Sequence, residues 1–230
     1  MVAQRAYGGV PAAERRAQRR AALVAAGLDI LGAPGHPRLT VAGLCSRADL
    51  NERYFYESFA TVDEVGVVVF DDVIAELTQV IVAAVSAAPD DSRAKARAAI
   101  GAAVDLLTED SRKTRVVFVE PLAAPALMAR RADVARALVA LIVEQAQQFY
   151  GAEATLRVGS WGDFAAAYSL GGLAETMTAW VRGDLAITRA ELIDRATELF
   201  VLVAEHVVRD QDALRADRRS AKRGRPRTAG

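Results

Sequence analysis

Side chains that could do chemistry are few and unevenly placed in this chain of 230 residues. There is one cysteine, Cys45, and two histidines, His36 and His206, far apart in sequence. One thiol cannot form an internal disulfide or a Cys-rich metal site, and two distant histidines do not seed a zinc centre. No metal and no cofactor is expected. The sequence has no Gly-x-Gly-x-x-Gly, no phosphate loop, no Gly-x-Ser-x-Gly and no His-Glu-x-x-His, so an enzyme is not expected either. One cluster of groups able to hold a partner is Asn51-Glu52-Arg53-Tyr54-Phe55-Tyr56-Glu57. Arg53 can reach guanine O6 and N7 in a major groove, and Asn51 can cap a helix or touch phosphate. Tyr54 and Tyr56 combine a flat apolar body with a hydroxyl that suits phosphate or sugar. Phe55 and Phe59 read as core. Glu52 and Glu57 would repel phosphates, so they either read cytosine N4 or point away. Arg38, Arg47 and the Arg15–Arg20 cluster are further candidate phosphate contacts.

The elements that must carry this cluster are helices. Alanine is abundant, β-branched alternation is nearly absent, and prolines fall between periodic blocks. A first helix is expected from Ala13 to Leu31, with Leu23, Gly27, Ile30 and Leu31 on one face. Thr40 is an N-cap type before a short helix whose apolar face is Val41, Leu44, Cys45 and Ala48. Cys45 is then a small core residue. Asn51 caps a third helix from Glu52 to about Ser58. Thr61 and Glu64 form a capping box at the start of a long helix from Val62 to near Ala88. Two short helices joined by a tight turn, after a longer one, make the shape of a helix-turn-helix head. Short helices of this kind also occur in purely structural bundles.

Charge follows the same division. Residues 1–60 carry eight Arg against five acids, residues 209–230 carry eight Lys/Arg against three Asp, and residues 61–208 carry thirteen basic against twenty-one acidic residues. Basic ends around an acidic middle fit ends that meet a polyanion, although simple solvation gives the same pattern. No apolar run reaches the length of a membrane span, and the N-terminus lacks the apolar stretch of a signal peptide. A free thiol without such a signal fits a cytoplasmic protein with no membrane partner.

The run Thr40-Val-Ala-Gly-Leu-Cys-Ser-Arg-Ala-Asp-Leu-Asn-Glu-Arg-Tyr-Phe-Tyr-Glu-Ser-Phe59, then Ala-Thr-Val-Asp-Glu-Val65, resembles the DNA-binding head of the TetR family. Ala48 matches the small residue before the turn, Leu50 the apolar turn residue, Tyr56 and Phe59 the aromatics, and Thr61 the cap. Three positions depart from the family pattern. Asp49 replaces a glycine at a site that favours positive φ, which Asp tolerates better than most residues. Ser58 replaces a second tyrosine. Val62 replaces a lysine and so removes a phosphate contact. Glu109–Arg112 through Pro121 resembles the opening of the family's sixth helix. Gly171–Gly183 and Thr188–Ile193 resemble its two C-terminal helices, with Gly183 as a helix stop and Thr188/Glu191 as a second capping box.

The resemblance implies an all-α fold: an N-terminal three-helix helix-turn-helix head and a helical ligand-binding and dimerisation body. The divisions read as an arm over 1–12, the head over 13–60, the body over 61–210 and a basic, disordered tail over 211–230. It implies a ligand-responsive transcriptional regulator, a repressor released from double-stranded operator DNA by a small-molecule effector, acting as a homodimer with two recognition helices about 34–36 Å apart. A helical small-molecule-binding or dimerisation module without DNA binding is the alternative, favoured by Ser58 and Val62. DNA contacts are assigned to Thr40, Asn51, Glu52, Arg53, Tyr54, Tyr56 and Thr61. The segment Arg223-Gly224-Arg225-Pro226-Arg227 is similar to an AT-hook, which adds Arg223, Arg225 and Arg227 as minor-groove contacts. A general basic terminus is the other reading of that tail. Phe118, Leu122, Met128, Phe149, Trp161, Phe164, Tyr168 and Met177 are the candidate ligand contacts in the body. The dimer interface is expected on helices 156–182 and 189–208, through Leu170, Leu173, Met177 and Trp180 on the first and Leu192, Ala196, Leu199 and Val203 on the second.

Overall fold

The computed structural model describes residues 11–35, 38–118, 125–151 and 158–223, with side chains to residue 209. Nine helices and no strand occur among the described residues: α1 (Ala12–Leu31), α2 (Val41–Ala48), α3 (Glu52–Tyr56), α4 (Val62–Ala87), α5 (Ser92–Glu109), α6 (Ser111–Phe118), α7 (Pro125–Tyr150), α8 (Ser160–Arg182) and α9 (Arg189–Arg223). No helix among them is long and apolar enough to cross a membrane. The chain divides into two units. The first takes the residues up to Thr78 with Leu107–Arg130, and the second takes Gln79–Leu106 with Arg131 onward.

In the first unit the local signals act as the sequence requires. Thr40 Oγ1 accepts from the Gly43 amide at 3.0 Å and starts α2. Asp49 ends α2 in the left-handed region, with φ 52°, as its replacement of a glycine there requires. Asn51 Oδ1 accepts from the Tyr54 amide at 3.3 Å and starts α3. The Glu64 amide donates to Thr61 Oγ1, while the Glu64 carboxylate accepts from the amide of Ala60 rather than of Thr61. The box thus closes one residue wider than expected. Leu23, Leu44, Phe55, Phe59, Val65 and Val69 are buried and join α1 to α4 in one apolar centre. Gly27 keeps that contact close: a Cβ there would lie 2.9 Å from Val69 Cγ2 and 3.0 Å from Val65 Cγ1. The α6 helix belongs to this unit, packed against α1, with Val116, Val117 and Phe118 buried.

The second unit is organised by the α8–α9 hairpin. Asp184 N–H donates to Ala179 O at 2.9 Å and Gly183 N–H to Trp180 O at 3.0 Å, with Gly183 at φ 83°. That paired arrangement is a Schellman stop, and Gly183 supplies the left-handed residue it needs. Thr188 and Glu191 then form the expected capping box. Met177, Leu192, Ile193, Val201 and Val207 are buried. Ion pairs Arg97–Asp194 and Arg189–Asp105 tie α5 to α9.

Two expectations need correction. The last helix does not stop near 208 but runs to Arg223. Ala213, Leu214, Ala216 and Ala221 are good helix formers, and a helix already nucleated upstream extends through such a segment at little cost. The apolar stripes assigned to dimerisation also point inward in part. Met177 and Leu192 are buried within the unit, and Val203 packs against the cluster of Val158, Ala165 and Val207.

Candidate functional site

The short helix α3 stands on Phe55, which is fully buried and lies 6.1 Å from the ring of Phe59. With that face fixed, the remaining side chains of the segment are directed away from the core. Tyr56 is 62% exposed, and its ring sits edge-on to Phe55 at 5.2 Å, which limits its swing. Asn51, Glu52 and Arg53 are exposed, as are Thr40 and Thr61 at the two flanking helix starts. Thr40, Asn51 and Thr61 each use the side-chain oxygen for capping and keep an exposed polar edge. Tyr54 is half-buried, with the Arg19 guanidinium 4.3 Å over its ring. The structure therefore brings Thr40, Asn51, Glu52, Arg53, Tyr54, Tyr56 and Thr61 into the α2–α4 segment of one unit.

Glu57 is held by two arginines. Its Oε1 accepts from Arg53 Nε at 3.2 Å and its Oε2 from Arg19 Nη2 at 3.3 Å. It bridges α1 and the α3 segment. Arg20 lies with its guanidinium carbon 4.8 Å from the centre of the Phe59 ring. Arg47 is tied down as well: its Nε donates to Asp29 at 2.9 Å. Asp29 also accepts from Arg112 of α6, and Arg112 is held in turn by Asp110. The Arg47 hydrogen bond and then the Arg112 contact hold the Asp29 carboxyl below its usual range, and Arg112 does the same for Asp110. Burial pushes the Cys45 thiol up, consistent with an unreactive core residue. The Asp29–Arg112 pairing was not visible in the sequence, because it joins residues far apart that share no motif.

The second unit contains a cavity of about 500 Å³. Its wall is largely apolar and includes Ile81, Val85, Ile142, Phe149, Ala166 and Phe200. Ser92, Lys95 and Tyr150 add polar groups. Lys95 Nζ pairs with Asp90 at 2.6 Å and lies 5.1 Å from the Phe149 ring centre. Burial is the main reason the Tyr150 hydroxyl is pushed up. Of the eight candidate ligand contacts, Phe149 lines this cavity, as do Tyr150 and Asp163, which the sequence also offers as lining and polar groups of the body. Phe118 and Met177 are buried core residues and not part of its lining, and Met128 is exposed on α7. Trp161, Phe164 and Tyr168 are exposed and stack in a row along α8, with ring centres 5.3 Å and 6.3 Å apart. Large aromatic residues drew attention in the sequence, whereas the cavity is built mostly from small and aliphatic side chains that carry no such signal. Leu122, Arg225 and Arg227 lie outside the described residues, as does the side chain of Arg223. No group of acids, cysteine and histidine able to hold a metal ion occurs among the described residues.

No protein-family model matches the sequence, and no curated protein matches it. Solved structures do match the fold. The chain is similar to a tetR-family transcriptional regulator from Streptomyces coelicolor, with TM-score 0.60 and 16% identity over 91% of this chain and 99% of that one. It is similar to the fatty acid degradation regulator FadR from Bacillus halodurans, with TM-score 0.58 and 17% identity over 83% and 94% of the two chains. A TetR-like transcriptional regulator from Rhodococcus sp. RHA1 gives TM-score 0.58 and 13% identity over 86% and 97%. The chain has the TetR fold.

Proposed function

We propose that the protein is a DNA-binding transcriptional regulator of the repressor type, dimeric, and released from its operator by a small apolar effector. The observation that carries the DNA-binding reading is α3 itself: a capped five-residue helix that seats Phe55 in the core and leaves Asn51, Arg53 and Tyr56 exposed. Those side chains offer a guanine reader and phosphate or sugar contacts on a helix short enough to enter a major groove end-first. The cavity of the second unit supports the effector reading, since its volume and apolar wall suit a drug-sized organic molecule. Dimerisation is supported by the apolar row Trp161, Phe164 and Tyr168 on α8 and by Leu199 and Leu202, exposed one turn apart on α9. A second copy related by a two-fold axis would cover both sets at once. The basic C-terminal residues Arg223, Arg225 and Arg227 add a minor-groove contact in this reading.

Selection of bound fragments from a genomic pool, followed by footprinting, tests the proposal. The expected site is palindromic. Tyr56→Phe weakens binding similarly on all sequences, and Arg53→Ala relaxes preference at one base pair per half-site by about 1–3 kcal/mol. Deleting 218–230 weakens binding more on A·T-rich than on G·C-rich flanks. Unaltered site and affinity in both point variants would remove α3 as the recognition helix.

A further inference from the structure

We propose that Glu57 is a positioning residue that aims Arg53 at a guanine, with Arg19 of α1 as its anchor. The inference rests on the DNA-binding reading above and concerns how that site selects a base.

Arg53 is strongly exposed, its side chain 83% accessible. A long, exposed arginine samples many rotamers and loses them when it docks. Here one edge of the guanidinium is already engaged, because Nε donates to Glu57 Oε1 at 3.2 Å. The two terminal nitrogens form the opposite, end-on face, and that face matches the O6 and N7 acceptors of guanine. Glu57 therefore occupies the donor that end-on guanine recognition does not need.

Glu57 can hold a direction only if it is itself fixed. Its other oxygen meets Arg19 Nη2 at 3.3 Å, and the Glu57 and Arg19 side chains are only 29% and 22% exposed. Arg19 is fixed a second time by lying 4.3 Å over the Tyr54 ring. Tyr54 and Glu57 flank the same short helix turn, so α1 grips the recognition segment at two points. One carboxylate between two guanidinium groups also leaves a net positive charge, so its repulsion of phosphate is more than offset.

The test is selection from a pool of duplexes with a randomised core, applied to wild type, Glu57→Gln, Arg53→Lys and Arg53→Ala. Wild type should enrich a site with a fixed guanine in each half. Glu57→Gln should lose about tenfold of that guanine preference at this one position while keeping the rest of the site. Its binding should also fall more steeply with salt, by about one unit of log–log slope, because a cation is released from its carboxylate. Arg53→Lys keeps the charge but not the planar fork, and should lose the same preference if Glu57→Gln does not fold. Arg53→Ala should lose it too. A Glu57→Gln variant that selects the guanine as strongly as wild type, or more strongly, overturns the role of Glu57. Retention of the preference in Arg53→Ala or Arg53→Lys overturns it as well. A wild-type chain that enriches no sequence refutes the DNA-binding reading instead.

Discussion

Gly32 is where packing and backbone entropy oppose each other most clearly, and the substitution Gly32→Ala separates them. The residue ends α1 with φ −78° and ψ −8°, a right-handed conformation that alanine adopts without strain. On backbone grounds alone, alanine would stabilise the fold by about 0.4–1 kcal/mol, through the lost freedom of the unfolded chain. The surroundings reverse the sign. A Cβ at this position would lie 2.7 Å from Arg112 Cα and 2.6 Å from Arg112 Cγ. The first of those atoms is backbone, so a rotamer change does not relieve the clash and the start of α6 must move. Overpacking of this kind costs about 1–3 kcal/mol, so the net expectation is a loss of about 1–2 kcal/mol. Gly101→Ala is the matched control. It lies inside α5 with no atom within 4 Å of a built Cβ, and should gain about 0.5–1 kcal/mol. Urea unfolding at one fixed protein concentration measures both, since association would otherwise shift the midpoint. A Gly32→Ala protein as stable as wild type, beside a stabilised Gly101→Ala, would show that α6 yields freely and that its attachment to α1 is loose.

Two further outcomes follow from the same geometry. Leu199→Arg, at a residue 62% exposed, should give folded monomer at micromolar concentration by sedimentation, with unchanged helicity; a dimer of wild-type strength would count against the α8–α9 face. Acid should loosen the α1–α6 attachment. Asp29 and Asp110 have carboxyls held below their ordinary value of 3.8 by arginine partners, so their contribution is full above that value and disappears as pH falls through the depressed range. Both pairs are partly exposed, which limits their joint effect to about 1 kcal/mol. Urea midpoints at pH 6 and pH 3 should therefore differ slightly less in Asp29→Asn than in wild type, and a larger difference in the variant would contradict the assignment.

Much of the head was legible because its signals are local. A cap such as Thr40 or Asn51 works within three residues, and the αL position at Asp49 was implied by the glycine that the resembling family carries there. Helix periodicity placed Leu23 and Leu44 in the core, since burial along a helix repeats with the turn, and Phe55 and Phe59 were read as core as well. The body was less legible for the opposite reason. Which face of α8 turns inward depends on what α9 offers it, and both helices are apolar on more than one face. Small residues such as Ala165 and Ala166 took the inward side, and the large rings of Trp161, Phe164 and Tyr168 were left outside. Size misled here: in a close helix pair, small side chains suit the contact and large ones need a partner elsewhere. Most of the cavity's wall was missed on the same account, and the Asp29–Arg112 pairing because nothing in a sequence announces an ion pair across eighty-odd residues.

The head therefore divides its work between two kinds of contact. Leu44 and Phe55 are fully buried, and truncating either to alanine should cost about 2–5 kcal/mol, a large part of the stability of a typical domain. The Arg19–Glu57–Arg53 and Arg112–Asp29–Arg47 groups are surface pairs, each contributing at most about 1 kcal/mol. What such pairs do well is fix direction: an arginine with one edge engaged by a carboxylate presents the other edge in a defined way. Stability and base selection should then be separable by mutation. Leu44→Ala lowers the urea midpoint and leaves the selected sequence unchanged among molecules that remain folded, whereas Glu57→Gln leaves the midpoint within about 0.5 kcal/mol of wild type and changes the sequence. If the two properties moved together in both variants, the charged groups would be part of the core's energetics and the division would fail.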